Sequence, residues 1–184
     1  MCIRDSAGTV QRIARPLPER PFRQTRLGTL FHAWVEQRSG KVGTARSLDD
    51  ALWELDDDGP STTASAEDAA VLATLQANFA ASEWGGLSPI EVETEIDFAD
   101  AGLDGRPHVI ICKLDAVFRR EDRGGRIEIV DWKTGAPPRT GAEREERMLQ
   151  LELYRRAYHA KHGMPLEQID VALYYVADDL VLRG

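Results

Sequence analysis

The chain has 184 residues, 42% hydrophobic and 29% charged, with a formal net charge of −8 at pH 7. That is enough for one domain with its own core, and it fits a soluble globular protein. No apolar run approaches the roughly 20 residues of a membrane span, and no signal peptide opens the chain. The two cysteines, Cys2 and Cys112, lack metal-ligand spacing. They therefore exclude a disulfide scaffold, a zinc ribbon and an iron–sulfur cluster, and leave a reducing cytoplasmic setting as the default.

The average charge hides a segregation. From Ser47 to Gly105 there is no Lys or Arg against 15 Asp plus Glu; the rest holds all 23 basic residues against 16 acidic ones. A basic face on an acidic protein can still bind phosphate locally. The acid-rich stretch also reads as a solvated insertion.

Residues 1–26 carry Pro16, Pro18 and Pro21 and little periodicity, and read as an irregular basic lead-in. Residues 27–184 read as one domain, with an acidic helical insertion at about 47–85. Leu27, Leu30, Phe31, Trp34 and Val35 form a helical stripe, with Thr29 as a cap, Gly40 as a stop and His32 beside the stripe. SLDDALWELDDDG reads as a short helix within a loop, and GPSTTAS breaks the pattern. Ala66 to Trp84 predicts a second helix, capped by Ser65, with Val71, Leu72, Leu75 and Phe79 on one face.

After GGLSP the period changes to two. In IEVETEIDF, Ile90, Val92, Thr94, Ile96 and Phe98 share one face, and Glu91, Glu93, Glu95 and Asp97 the other. DAGLDGRP is a turn. PHVIICKLDAVF is a second strand, apolar on both faces for much of its length, and RIEIVDWK is a third after EDRGG. Close in sequence, the three predict an antiparallel meander. Gly141 to His162 predicts a long helix with Met148, Leu149, Leu151, Leu153, Ala157 and Tyr158 on its apolar face, ended by Gly163. IDVALYYVA follows as a strand, placed by the helix crossover to join the sheet in parallel. The class is α/β, a mixed sheet flanked by helices.

The chemistry gathers at IEIVDWKTG, residues 127–135. Residues two apart on a strand share a face, so Asp131 and Lys133 project together where the strand ends. Alone, such a pair is as readily a solvated ion pair as an active site. Asp115, in KLDAVF on the preceding strand, can be a neighbour of Asp131 across the hairpin. A buried unpaired carboxylate is costly, so Asp115 asks for a partner. Two carboxylates at close range suit Mg²⁺ or Mn²⁺, which polarises a phosphodiester and activates water. Lys133 can then orient that water or stabilise charge on the phosphate. His32 offers an imidazole.

In order, GTLFHAWVE, ETEIDF, KLDAVF, IEIVDWKTG and QLELY resemble the RecB-type branch of the PD-(D/E)XK nuclease superfamily over roughly Leu27 to Ala177. The nearest likeness is to the C-terminal nuclease domains of actinobacterial AdnAB-like and UvrD/RecB-like helicase–nucleases. The resemblance implies a restriction-endonuclease-like core, with Asp115, Asp131 and Lys133 catalytic. It implies metal ligands from His32, Asp115, Asp131 and the Trp132 carbonyl, with Gln150 and Tyr154 supporting the site and the DNA strand. An acid on the first strand would be Glu93 or Glu95. Cys112 stands where the family pattern has glycine, while Lys113 keeps the basic residue after it.

The sequence thus predicts a Mg²⁺/Mn²⁺-dependent DNase, acting on single strands fed by a helicase in DNA end processing and double-strand break repair. No P-loop occurs, so the chain binds no nucleotide as an ATP motor and would be joined to one or work beside it. Arginines in the stretches 12–26 and 119–126, with Arg155 and Arg156, are candidates for phosphate contact. Two alternatives are a catalytically silent DNA-binding scaffold on a nuclease fold, and a standalone single-strand exonuclease. Loss of an acid or the lysine would mark the scaffold, and none is lost.

Overall fold

The computed structural model describes residues 23–41, 66–101 and 107–184. The irregular lead-in up to residue 22, the short SLDDALWELDDDG helix, the Ser65 cap and most of the DAGLDGRP turn lie outside the described residues. Helices α1 (Arg23–Ser39), α2 (Ala66–Ala81) and α3 (Gly141–His162) accompany strands β1 (Glu91–Ala101), β2 (Pro107–Arg120), β3 (Arg126–Lys133), β4 (Ile169–Tyr175) and β5 (Leu180–Arg183). The strands form one sheet in the order β1-β2-β3-β4-β5. All neighbours are antiparallel except β3 and β4, which run parallel across the α3 crossover. The expected mixed sheet and meander are therefore present. Strand β5 was not foreseen: four residues give too short a run for a periodic signal.

Gly163 ends α3 as expected, and a cap not singled out in the sequence starts it. The Thr140 side chain accepts from Glu143 N, and the Glu143 side chain returns the bond to the Thr140 amide, a capping box. Gly163, at φ 66°, closes the helix. Gly40, at φ 67°, closes α1 in the same way. The start of α1 differs. It begins at Arg23, so Thr29 is an interior residue and not a cap.

Each face of the sheet buries its own core. Toward α3, Leu151, Ala157 and Tyr158 pack on Ile127, Ile129, Val171 and Leu173. On the other face, Phe31 and Val35 of α1 and Leu75 and Phe79 of α2 pack on Val130, Trp132, Ala172 and Tyr174. The described part of the acid-rich stretch thus supplies a layer of the core. Four expectations of burial fail. Leu30, of the stripe on α1, is 38% exposed. Val71 is 41% exposed and Leu149 61%, each on the outer side of its helix. Val109 and Ile111 are 71% and 66% exposed, because β2 outruns the sheet: it pairs with β3 only from Ala116 to Arg120.

The alternation on β1 is correct in burial but hides a change of face. Val92 joins the α1/α2 core, whereas Ile96 and Phe98 join the α3 core. Strand β2 changes face at the same level, with Ala116 and Phe118 on one side and Cys112 and Leu114 on the other. The change centres on Glu93, which holds φ 44°. The ladder pairs Val92 with Ala116 and Thr94 with Leu114, and skips Glu93 and Asp115. A left-handed non-glycine residue costs about 1–3 kcal/mol, and such strain concentrates at functional sites.

At the start of β3, Glu128 is fully buried. It accepts from Trp84 Nε1 at 2.9 Å, Arg123 Nη1 at 2.9 Å, Arg183 Nη1 at 2.5 Å and Arg120. Burial opposes its charge, but these donors hold its carboxyl below the usual range. Glu83 pairs with the same three arginines and so ties the segment after α2 to β2 and β5. Removing one member of such a buried cluster strands the others. Glu128→Ala should therefore lose about 3–5 kcal/mol of unfolding free energy in urea, and an unchanged midpoint would contradict the role given to this acid.

Candidate active site

The site forms where β2 and β3 part. Their ladder ends at the pair Ala116–Val130. One step further on, the Asp115 side chain bridges the gap: its Oδ2 accepts from the Trp132 amide at 2.8 Å. Strand alternation sends the Trp132 side chain into the α1/α2 core, edge-on to Phe79, Trp84, Phe118 and Tyr174. Its neighbours Asp131 and Lys133 are then directed to the opposite face, toward α3.

Helix α3 meets Asp131 there. Tyr154 Oη donates to Asp131 Oδ1 at 2.9 Å, and Gln150 Nε2 donates to Tyr154 Oη at 2.6 Å. The four-residue spacing of Gln150 and Tyr154 puts both on one helix face. Burial and the charge of Asp131 raise the Tyr154 pKa well above its ordinary value, so Tyr154 stays a donor. Lys133 Nζ stands 2.6 Å from Asp131 Oδ2. That contact is Coulombic, without hydrogen-bond alignment, and Oδ2 is buried with no hydrogen-bond partner.

Helix α1 brings His32 from the other side. His32 Nδ1 lies 3.2 Å from Glu93 Oε1 and 3.6 Å from Asp115 Oδ1. The glycine of G-x-x-x-H has a steric reason: a Cβ on Gly28 would meet Thr134 Oγ1 at 3.2 Å. Gly28 thus lets α1 close onto the segment that follows β3, one turn from His32. Glu93 is held from its other side by Lys113, with Nζ 2.9 Å from Oε2.

The charges are strongly coupled. Burial would lower the His32 pKa, but the Glu93 hydrogen bond and the charges of Asp115, Glu93 and Asp131 outweigh it and raise it to about 9. Burial and the charge of Asp131 push the Asp115 carboxyl up, against the pull of His32 and the Trp132 amide. Burial also acts to raise Glu93, but its bonds to His32 and Lys113 prevail and hold it down.

His32, Glu93 and Asp115 each offer a ligand atom, all within 4.8 Å of one another. Carboxylate oxygens with one imidazole suit a hard divalent cation such as Mg²⁺ or Mn²⁺. Asp131 is not among these three; its buried Oδ2 faces Lys133 Nζ at 2.6 Å.

Of the residues singled out in the sequence, His32, Glu93, Asp115, Asp131, Trp132, Lys133, Gln150 and Tyr154 form one connected set. Glu95 does not join it; it is exposed on β1 and lines a shallow cleft with Lys161. The Cys112 side chain is buried in the α3 core. The expected phosphate-binding arginines of the 119–126 stretch are largely committed elsewhere, Arg120 and Arg123 to Glu83 and Glu128, and Arg126 to Asp170 at 2.6 Å. Arg155 pairs with Glu152. The Lys113–Glu93 pair was missed, although the cross-strand neighbours around Glu95 and Lys113 could have suggested a charge contact there.

A mixed sheet with acids and a lysine at the fork of two strands defines a restriction-endonuclease-like nuclease core. A sequence profile of the PD-(D/E)XK nuclease superfamily matches residues 7–181, and the chain belongs to that superfamily. No curated protein matched the chain in a sequence comparison. Among the described residues no helix is long and apolar enough to cross a membrane.

The His32 shift sets a pH dependence. The folded-state pKa lies above the ordinary 6.5, so protonated His32 stabilises the fold fully below pH 6.5, and the contribution fades as pH rises through about 9. NMR of the metal-free protein should show the His32 ring still protonated at neutral pH. A midpoint at its ordinary value would contradict the acidic surroundings described here.

Proposed function

We propose that the chain is a Mg²⁺- or Mn²⁺-dependent deoxyribonuclease of the RecB-type, AdnAB-like branch. It cuts single-stranded DNA delivered by a helicase motor during DNA end processing and double-strand break repair. The observation that carries this reading is the convergence of Asp115 and Asp131 on the strand fork, with Lys133 against Asp131.

His32, Asp115, Asp131 and the Trp132 carbonyl would hold the ion, with Glu93 beside them. A divalent ion bound there polarises the phosphodiester and supplies a water of lowered pKa. Lys133 orients the attacking water and stabilises charge developing on the phosphate. Tyr154, itself held by Gln150, fixes the direction in which Asp131 presents its other oxygen, beside Lys133. Glu93 fixes the His32 ring through Nδ1. The aromatic cluster around Trp132 anchors β3 behind these groups.

The test is cleavage of labelled single-stranded and duplex DNA with Mg²⁺, with Mn²⁺ and with EDTA, beside Asp131→Ala. Metal-dependent cutting that the variant lacks is the expected result; a folded wild-type chain that binds DNA and never cuts it would favour a scaffold. Lys133→Ala should lower kcat by about 10²–10⁴-fold while Mn²⁺ affinity by calorimetry persists. Asp115→Ala should lose both. Wild-type Mn²⁺ affinity in Asp115→Ala would refute the metal site.

A further inference from the structure

The described arginines differ in how far their side chains are paired. Arg120, Arg123, Arg126 and Arg183 are bound to acids around the start of β3. The side chains of Arg144 and Arg147, in the first turns of α3 beyond the end of β3, have no hydrogen bond or ion pair among the described residues. Arg147 is half-buried, whereas Arg144 is exposed.

The place of Arg147 follows from helix periodicity. It precedes Leu151 by four residues and Tyr154 by seven, so all three lie on one face of α3. Leu151 and Tyr154 are buried on that face, and Tyr154 is the residue bonded to Asp131. Seven residues of helix are about 10 Å. Arg147 therefore stands about that far along α3 from the Asp131 contact, past the end of the strand that carries Lys133.

The acids close by in sequence do not neutralise it. Glu143 is used by the cap, its Oε2 accepting from the Arg139 and Thr140 amides. Glu145 and Glu146 are rotated about 160° and 100° away around the helix. Arg147 is a half-buried residue on the face that supports the site, and its unpaired guanidinium is a fork of donors suited to a phosphate.

We infer that Arg147 binds a backbone phosphate of the DNA strand next to the phosphodiester that is cut, with Arg144 adding charge at its outer side. It is a positioning residue, and the inference rests on the nuclease reading above. It takes the place of Arg120, Arg123 and Arg126, whose guanidinium groups are already paired with acids.

The test uses the full chain carrying Lys133→Ala, so that DNA stays intact, with Mg²⁺ and a short fluorescent oligothymidylate. Adding Arg147→Ala should weaken binding about tenfold, the worth of one charged hydrogen-bonded contact. It should also reduce the slope of log K against log salt by about 0.7, one phosphate of a single strand. Arg126→Ala, which removes a cation already tied to Asp170, should leave both unchanged. Arg147→Lys should recover the salt slope but not the full affinity. Unchanged affinity and slope in Arg147→Ala, in a chain whose wild type cuts DNA, would overturn this inference alone. A wild type that neither cuts nor binds DNA would overturn it together with the functional reading.

Discussion

The Trp132 amide donates to Asp115 Oδ2 across 2.8 Å, and the candidate site is built outward from that bond. It sits where β2 and β3 cease to pair, so a side chain takes over from the ladder. Trp132 faces two ways. Its ring is locked among Phe79, Trp84, Phe118 and Tyr174, and its backbone fixes Asp115. The flanking residues Asp131 and Lys133 must then face α3, where Tyr154 waits for Asp131. A rigid apolar anchor thus sets the aim of the polar groups beside it.

Opposite Asp115, the backbone of β1 is strained rather than relaxed. Glu93 takes a left-handed conformation and the ladder skips it. The two strands change face together at this level, which directs Glu93 toward His32 instead of leaving it in the exposed row with Glu95. The fold tolerates this because Val92 and Ala116 on one side of the kink and Ile96 and Leu114 on the other are all buried. Two packed cores hold the distortion in place.

Much of this was legible in the sequence. The end of α3 was readable because a glycine marks it. The common face of Asp131 and Lys133 followed from strand alternation alone. The G-x-x-x-H spacing was readable too, although its reason, the close approach of Gly28 to Thr134, needed the tertiary structure. What stayed hidden was non-local. Burial on β1 alternates in the same way whether or not the strand changes face, so Glu93 and Glu95 could not be told apart. The burial of Glu128 gave no sequence signal, because its arginines come from positions up to 55 residues away. Phosphate contacts were expected from arginines at 12–26 and 119–126 and from Arg155 and Arg156, but density in sequence does not reveal which cations are already paired.

The account makes one claim from which the others follow: the strand fork is a divalent-metal site. Its most direct test is diffraction from crystals of the wild-type chain grown with Mn²⁺, using the anomalous signal of manganese. The account predicts a peak in direct contact with His32, Asp115 and Asp131, beside Lys133. A peak elsewhere, or none at the fork at saturating Mn²⁺, would contradict it.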